Sequence, residues 1–252
     1  MIEILLKTVP FFAVIGLGYG AARAGAFSEQ ATAWLTRFVF YFALSAMLFR
    51  FAANLPLSEV FNPRIVAAYL WATAFVYGIV TIVAFLRGLG VAESAVEAQC
   101  GVIGNVGFLG VPMLVMLLGE AAIGPVMLVL AIDLIVFSSL IVILITGSRE
   151  GRVSRRTLRT VANGLVRNPM IVSIAAGLAW SGLGIPVPKV LNDFLVLLGG
   201  AATPGALFAI GASLATKTAE RVTIAGWLSF SKLVLHPLFV AFGVLIGVLF
   251  GF

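Results

Sequence analysis

The residues best suited to chemistry lie where an apolar chain should carry none. Asn105 stands in GNVGFLGVP, flanked by Gly104 and Gly107 and followed by Gly110 and Pro112. An amide both donates and accepts, so beside unwound backbone it can hold free carbonyls or contact a carboxylate. It can also simply cap a half-helix. Asp133 falls in the middle of LVLAIDLIVFSS. Burying its charge at membrane depth costs about 2.5–3.5 kcal/mol even on the lenient insertion scale. It suits a coupling proton or ion, against the alternative of an aspartate paired for packing. Ser45 in ALSAMLFRFAA and Pro204 in ATPGALFAIGA either line a cavity or let helices approach closely. Arg50 either offsets an anion or extends to the interface along its apolar stem. Lys232 and His236, four residues apart, share a helix face that suits a gate or a proton path, against the alternative that Lys232 anchors at the interface. Glu93 favours the start of a helix dipole, and Glu97 suits a cytoplasmic vestibule.

Enzyme chemistry lacks a constellation. The chain holds no HExxH, GxSxG or P-loop, the spacings that metal hydrolysis, acyl transfer and phosphate binding require. Cys100 and His236 are its single cysteine and histidine, which excludes a disulfide framework and a cysteine-based metal site. The reading is a non-enzyme without a cofactor.

The elements that position these residues follow from composition. Hydrophobic residues make up 62% of the chain and charged residues 10%, with mean hydropathy +1.15. Soluble domains carry about 25% charged residues, so this is an all-α polytopic membrane protein. A span needs about 20 apolar residues, and eight stretches qualify: 4–23, 31–53, 65–86, 95–118, 122–146, 169–185, 191–214 and 227–250. No basic region precedes the first, so it reads as a span and not as a cleaved signal. Residues 147–167 read as a basic loop, whose charge sets topology and meets anionic lipid; a nucleic-acid partner is not expected.

In the fourth span, Pro112 lacks an N–H and its ring clashes with the carbonyl of Phe108, four residues back. The predicted helix runs to about Gly104, breaks through Asn105–Val111 and restarts at Pro112. The N–H groups around Val111–Leu114 would then form an anion seat. Broken backbone survives in lipid only when buried in protein or lining a wet cavity, and secondary transporters use it to present dipoles to substrates. Orientation follows from Lys and Arg. With a non-cytoplasmic N-terminus, the cytoplasmic side holds eleven (among them Arg23, Arg87, Arg155 and Arg221) and the other side only Lys7, Arg64 and Lys189, the positive-inside pattern.

A constant offset of 159 residues pairs Gly18 with Gly177, Ile15 with Ile174, Leu48-Phe49 with Leu207-Phe208 and Ala53 with Ala212. Five spans separate equivalent helices, so the units are inverted relative to each other, a transporter architecture. The reading divides the chain into a first repeat at 1–146 with five spans, the loop at 147–167, and a second repeat at 168–252 with three. The equivalent of Asn105 falls beyond Phe252, so about eight helices of an expected ten are present.

GNVGFLGVP, NPMIVSIAAGL, ATPGALFAIGASL and KLVLHPL together resemble the auxin efflux carrier family, in family order over essentially all 252 residues. The resemblance implies two inverted five-helix units, a crossover of broken helices and a small organic anion, such as a dicarboxylate or an auxin-like carboxylate, as substrate. It implies crossover roles for Asn105, Gly107 and Pro112. Ser45 stands where family members usually carry a proline, which Pro204 retains in the seventh span. The expected function is a secondary active or facilitative permease in the inner (plasma) membrane, working by alternating access. The alternative is an eight-helix remnant that binds ligand, a second copy or a partner subunit without transport.

Overall fold

A computed structural model describes residues 2–55, 62–152, 154–217 and 221–249, and every regular element among them is helical. In chain order these are α1 (Ile2–Arg23), α2 (Glu29–Ala53), α3 (Pro63–Leu86), α4 (Val91–Val102), α5 (Val111–Leu118) and α6 (Glu120–Glu150). Then follow α7 (Arg155–Arg167), α8 (Pro169–Gly182), α9 (Lys189–Leu214) and α10 (Val222–Gly247). Among the described residues seven stretches are long and apolar enough to cross a membrane, α4 and α5 together forming one of them. The 14 residues of α8 make an eighth only when taken together with α7. The protein is an all-helical, multi-pass membrane protein. The end of the eighth expected span, Phe250, lies outside the described residues.

Local chemistry sets the helix starts. Ser28 caps α2 by accepting from the Ala31 N–H, and Asn62 caps α3 by accepting from Arg64 and Ile65 with Pro63 in the first turn, where its missing N–H costs nothing. One sequence expectation needs correction. Residues 147–167 are not a loop: α6 continues to Glu150 and α7 occupies Arg155–Arg167. Thr157, Val161 and Leu165 recur every four residues and are withdrawn from solvent, while Arg155, Arg156 and Arg159 are exposed. Counting charge hid this periodicity. A capping box starts α7, the Ser154 hydroxyl accepting from the Thr157 N–H at 3.2 Å while the Thr157 hydroxyl accepts from the Ser154 N–H at 3.2 Å. Ser154→Ala is expected to cost about 1 kcal/mol, read as faster amide exchange confined to the first turns of α7.

The chain divides into two compact units that do not coincide with the sequence halves. Unit 1 holds residues 1–60, 105–127 and 169–219, hence α1, α2, α5, α8, α9 and the first turns of α6. Within it α1 packs on α9 and α8 on α2, both through glycines. A Cβ at Gly18 would lie 2.1 Å from the Phe208 carbonyl oxygen, and one at Gly177 would lie 2.6 Å from the Phe49 carbonyl oxygen. Small residues let backbones approach in this way. Unit 2 holds residues 61–104, 128–168 and 220–252. There α3 packs on α10 and α4, around a core that includes Val76, Val80, Ala98, Val102 and Phe137.

Candidate functional site

The fourth span is interrupted where its sequence requires, but over a different range from the one expected. Helix α4 ends at Val102, Ile103 is extended with ψ 120°, and Asn105 has ψ 62°. Winding then resumes as a π-turn over Val106–Gly110, which leads into α5 with Pro112 in its first turn. This corrects the anion seat expected on Val111–Leu114. The Val111 N–H is already bonded to the Val106 carbonyl, because the π-turn extends the half-helix backwards by five residues. The unbonded donors therefore move upstream. Among the described residues the N–H groups of Asn105, Val106 and Gly107 make no hydrogen bond. Asn105 is exposed and its Oδ1 caps the turn, accepting from the Phe108 N–H at 3.3 Å. Its Nδ2 makes no hydrogen bond among the described residues. Gly107 is buried in the turn, which packs against the second half of α9.

Pro112 lines a cleft of about 330 Å³ within unit 1, formed by α2, α5 and α9. Its walls include Met47, Arg50, Pro112, Gly199 and Thr203. Pro204 is exposed and does not line this cleft, but it shapes it. Without an N–H it deprives the Gly200 carbonyl of its helical donor, and α9 is interrupted by a turn at Ala201. Ser45 is buried and turned to its own helix, its hydroxyl donating to the Phe40 carbonyl at 3.2 Å beside a π-turn at Val39–Ala43. A second, wider cleft of about 730 Å³ in the same unit shares Arg50 and Phe51 with the first and adds Asn54, Glu120, Lys189 and Asn192.

Asp133 belongs to unit 2, where it is 3% exposed and opens a π-turn at Asp133–Phe137. The Tyr69 hydroxyl donates to its Oδ1 at 2.7 Å, whereas its Oδ2 is buried without a partner. One turn along α3, the Thr73 hydroxyl lies 2.8 Å from His236 Nε2, and the His236 ring meets the Tyr69 ring edge-on at 5.4 Å. A further turn along, the Tyr77 hydroxyl donates to the Ala95 carbonyl at 3.1 Å. The i, i+4, i+8 row of α3 thus ties one polar side chain to each of α6, α10 and α4. Glu97 is engaged in an ion pair with Arg87.

Comparison with known proteins fits these elements. The family model described as "Membrane transport protein" matches residues 3–251. The chain belongs to this family, that of the auxin efflux carriers. A relative in Rhizobium meliloti named "Putative malonate transporter" is 30% identical over 253 residues, which is 98% of this chain and 78% of that protein.

In this membrane transport protein the residues singled out from sequence do not form one cluster. Asn105, Gly107 and Pro112 lie on one interrupted segment of unit 1, Pro112 shares its cleft with the α9 turn that Pro204 creates, and Asp133 sits in unit 2. Tyr69, Thr73, Asn192 and Thr203 escaped the sequence reading. Tyr69, Thr73 and Tyr77 at four-residue spacing in an apolar span were the available signal. Four π-turns adjoin Ser45, Asn105, Asp133 and His236. Such turns are frequent at functional sites and leave no sequence signature beyond the residues themselves.

Proposed function

We propose that this protein is a secondary carrier, active or facilitative, of small organic anions such as dicarboxylates or auxin-like carboxylates. The observation that carries the reading is the row of unbonded N–H groups at Asn105–Gly107 beside an exposed capping amide. Free donors at the start of a helical segment attract negative charge because hydrogen-bonding capacity and dipole point the same way. The name of the Rhizobium relative supports a dicarboxylate. Alternating access would pivot on the interruption, where the chain leaves unit 2 at Gly104 and enters unit 1 at Asn105.

The inverted repeat is supported by reciprocity. Gly18 meets Phe208 and Gly177 meets Phe49, and the 159-residue offset exchanges the members of the two pairs. A two-fold relation generates such paired contacts. In this reading Asp133 holds the coupling proton or ion, and the N-terminus lies on the non-cytoplasmic side of the plasma membrane, a reading that the Lys and Arg distribution supports.

The test is uptake of labelled malonate, succinate and indole-3-acetate into liposomes holding purified protein. Saturable uptake of at least one is expected, and Asn105→Ala should reduce it about tenfold, the value of one lost hydrogen bond to a charged group. Unchanged uptake and binding in Asn105→Ala would remove the site assignment. Binding without uptake by the wild type would favour a ligand-binding membrane protein instead.

A further inference from the structure

We propose that Arg50 is the carboxylate-docking residue of unit 1, a site that rests on the organic-anion reading above and specifies it. Among the described residues Arg50 is the only charged one lining the smaller cleft, whose other walls are apolar apart from Thr203 and the glycine backbone of α9. It also lines the wider cleft, so one guanidinium is common to both spaces. Among the described residues it has no acidic partner. Its Nε donates to Asn192 Oδ1 at 3.1 Å. The neighbouring acid, Asp193, is held by Lys189 at 2.5 Å. The wider cleft is also lined by Glu120 and by Lys189; with Lys189 engaged by Asp193, Glu120 disfavours an anion there, which directs the carboxylate to the smaller cleft.

The chemistry follows from the fork. A guanidinium presents five donors in a rigid plane and binds a carboxylate through two parallel N–H···O bonds. With Nε occupied by Asn192, the two terminal nitrogens remain as a pre-oriented pair. Arg50 stands in the last turn of α2, where its long side chain reaches the clefts from the end of the span. A small carboxylate with a short apolar body fits a cleft of about 330 Å³ whose apolar surface includes Met47, Leu195 and Val196.

The experiment is malonate binding by calorimetry to the purified full chain, comparing wild type with Arg50→Gln and Arg50→Lys. Arg50→Gln should weaken binding by about tenfold or more, the value of a charge-assisted pair. Arg50→Lys should recover only part of it, because an ammonium cannot fork. Wild-type affinity in either variant overturns the proposal. If Arg50→Gln does not fold, Arg50→Lys and Asn192→Ala decide it: both should bind malonate more weakly, and wild-type affinity in either overturns the proposal. Failure of the wild type to bind malonate, succinate and indole-3-acetate would sink the carrier reading itself. A wild type that binds malonate with Arg50→Gln equally tight would sink this proposal alone.

Discussion

Alanine at Gly211 is expected to destabilise the protein by about 3 kcal/mol or more, the upper end of the range for overpacked sites. A Cβ there would lie 1.9 Å from the Ile15 carbonyl oxygen and 2.9 Å from the Tyr19 amide nitrogen. Both are backbone atoms of α1, so no side chain can swing aside. The helix itself would have to retreat by well over an ångström to restore van der Waals contact. Gly18→Ala meets the Phe208 backbone on the same interface at 2.1 Å and should behave alike. Two neighbours on α1 provide the control. A Cβ at Gly16 or at Gly20 meets nothing within 4 Å, so alanine at either should be neutral or stabilising by up to about 1 kcal/mol, the helix-propensity difference. Thermal unfolding in detergent separates the two classes. A Gly211→Ala midpoint equal to that of Gly16→Ala would show that α1 and α9 are not held at this distance.

The second large effect concerns Asp133. Asp133→Asn keeps an acceptor for the Tyr69 hydroxyl but cannot exchange a proton, so the fold should persist while coupling is lost. Uptake driven by an imposed proton gradient is expected to fall to background, while exchange of labelled for unlabelled substrate continues. Tyr69→Phe acts in the opposite way. It leaves both carboxyl oxygens without a partner in a site that already has one orphan, Oδ2, and should cost about 1–3 kcal/mol of stability. Gradient-driven uptake by Asp133→Asn at the wild-type rate would remove the carboxyl from any coupling role and leave it a packing residue.

Much of the fold was legible because its signals are local. The spans follow from apolar length, and the interruption of the fourth was readable from Pro112 and its glycines. Its extent was misjudged by several residues. Proline chemistry locates a defect but does not say whether the backbone beside it unwinds or, as at Val106–Gly110, rewinds as a π-turn. The helix at Arg155–Arg167 was missed because four arginines outweighed the apolar row at Val161 and Leu165.

The candidate site was less legible. Arg50 was seen but set between two meanings, and Tyr69, Thr73 and Asn192 were not seen. By itself, then, the sequence determined membrane residence, the placement of seven of the eight expected spans, the weak point at Asn105–Pro112 and a 159-residue offset, all properties of composition and of near neighbours. Only the tertiary structure decided that Asp133 meets Tyr69, that Thr73 meets His236, that Arg50 borders two clefts, and that the Gly18 and Gly177 contacts are reciprocal. The physical reason lies in the lipid solvent. A helix that is apolar on all sides carries no stripe to say which face packs inward, so its rotation, and every side-chain partner that depends on it, is fixed by close packing against other helices.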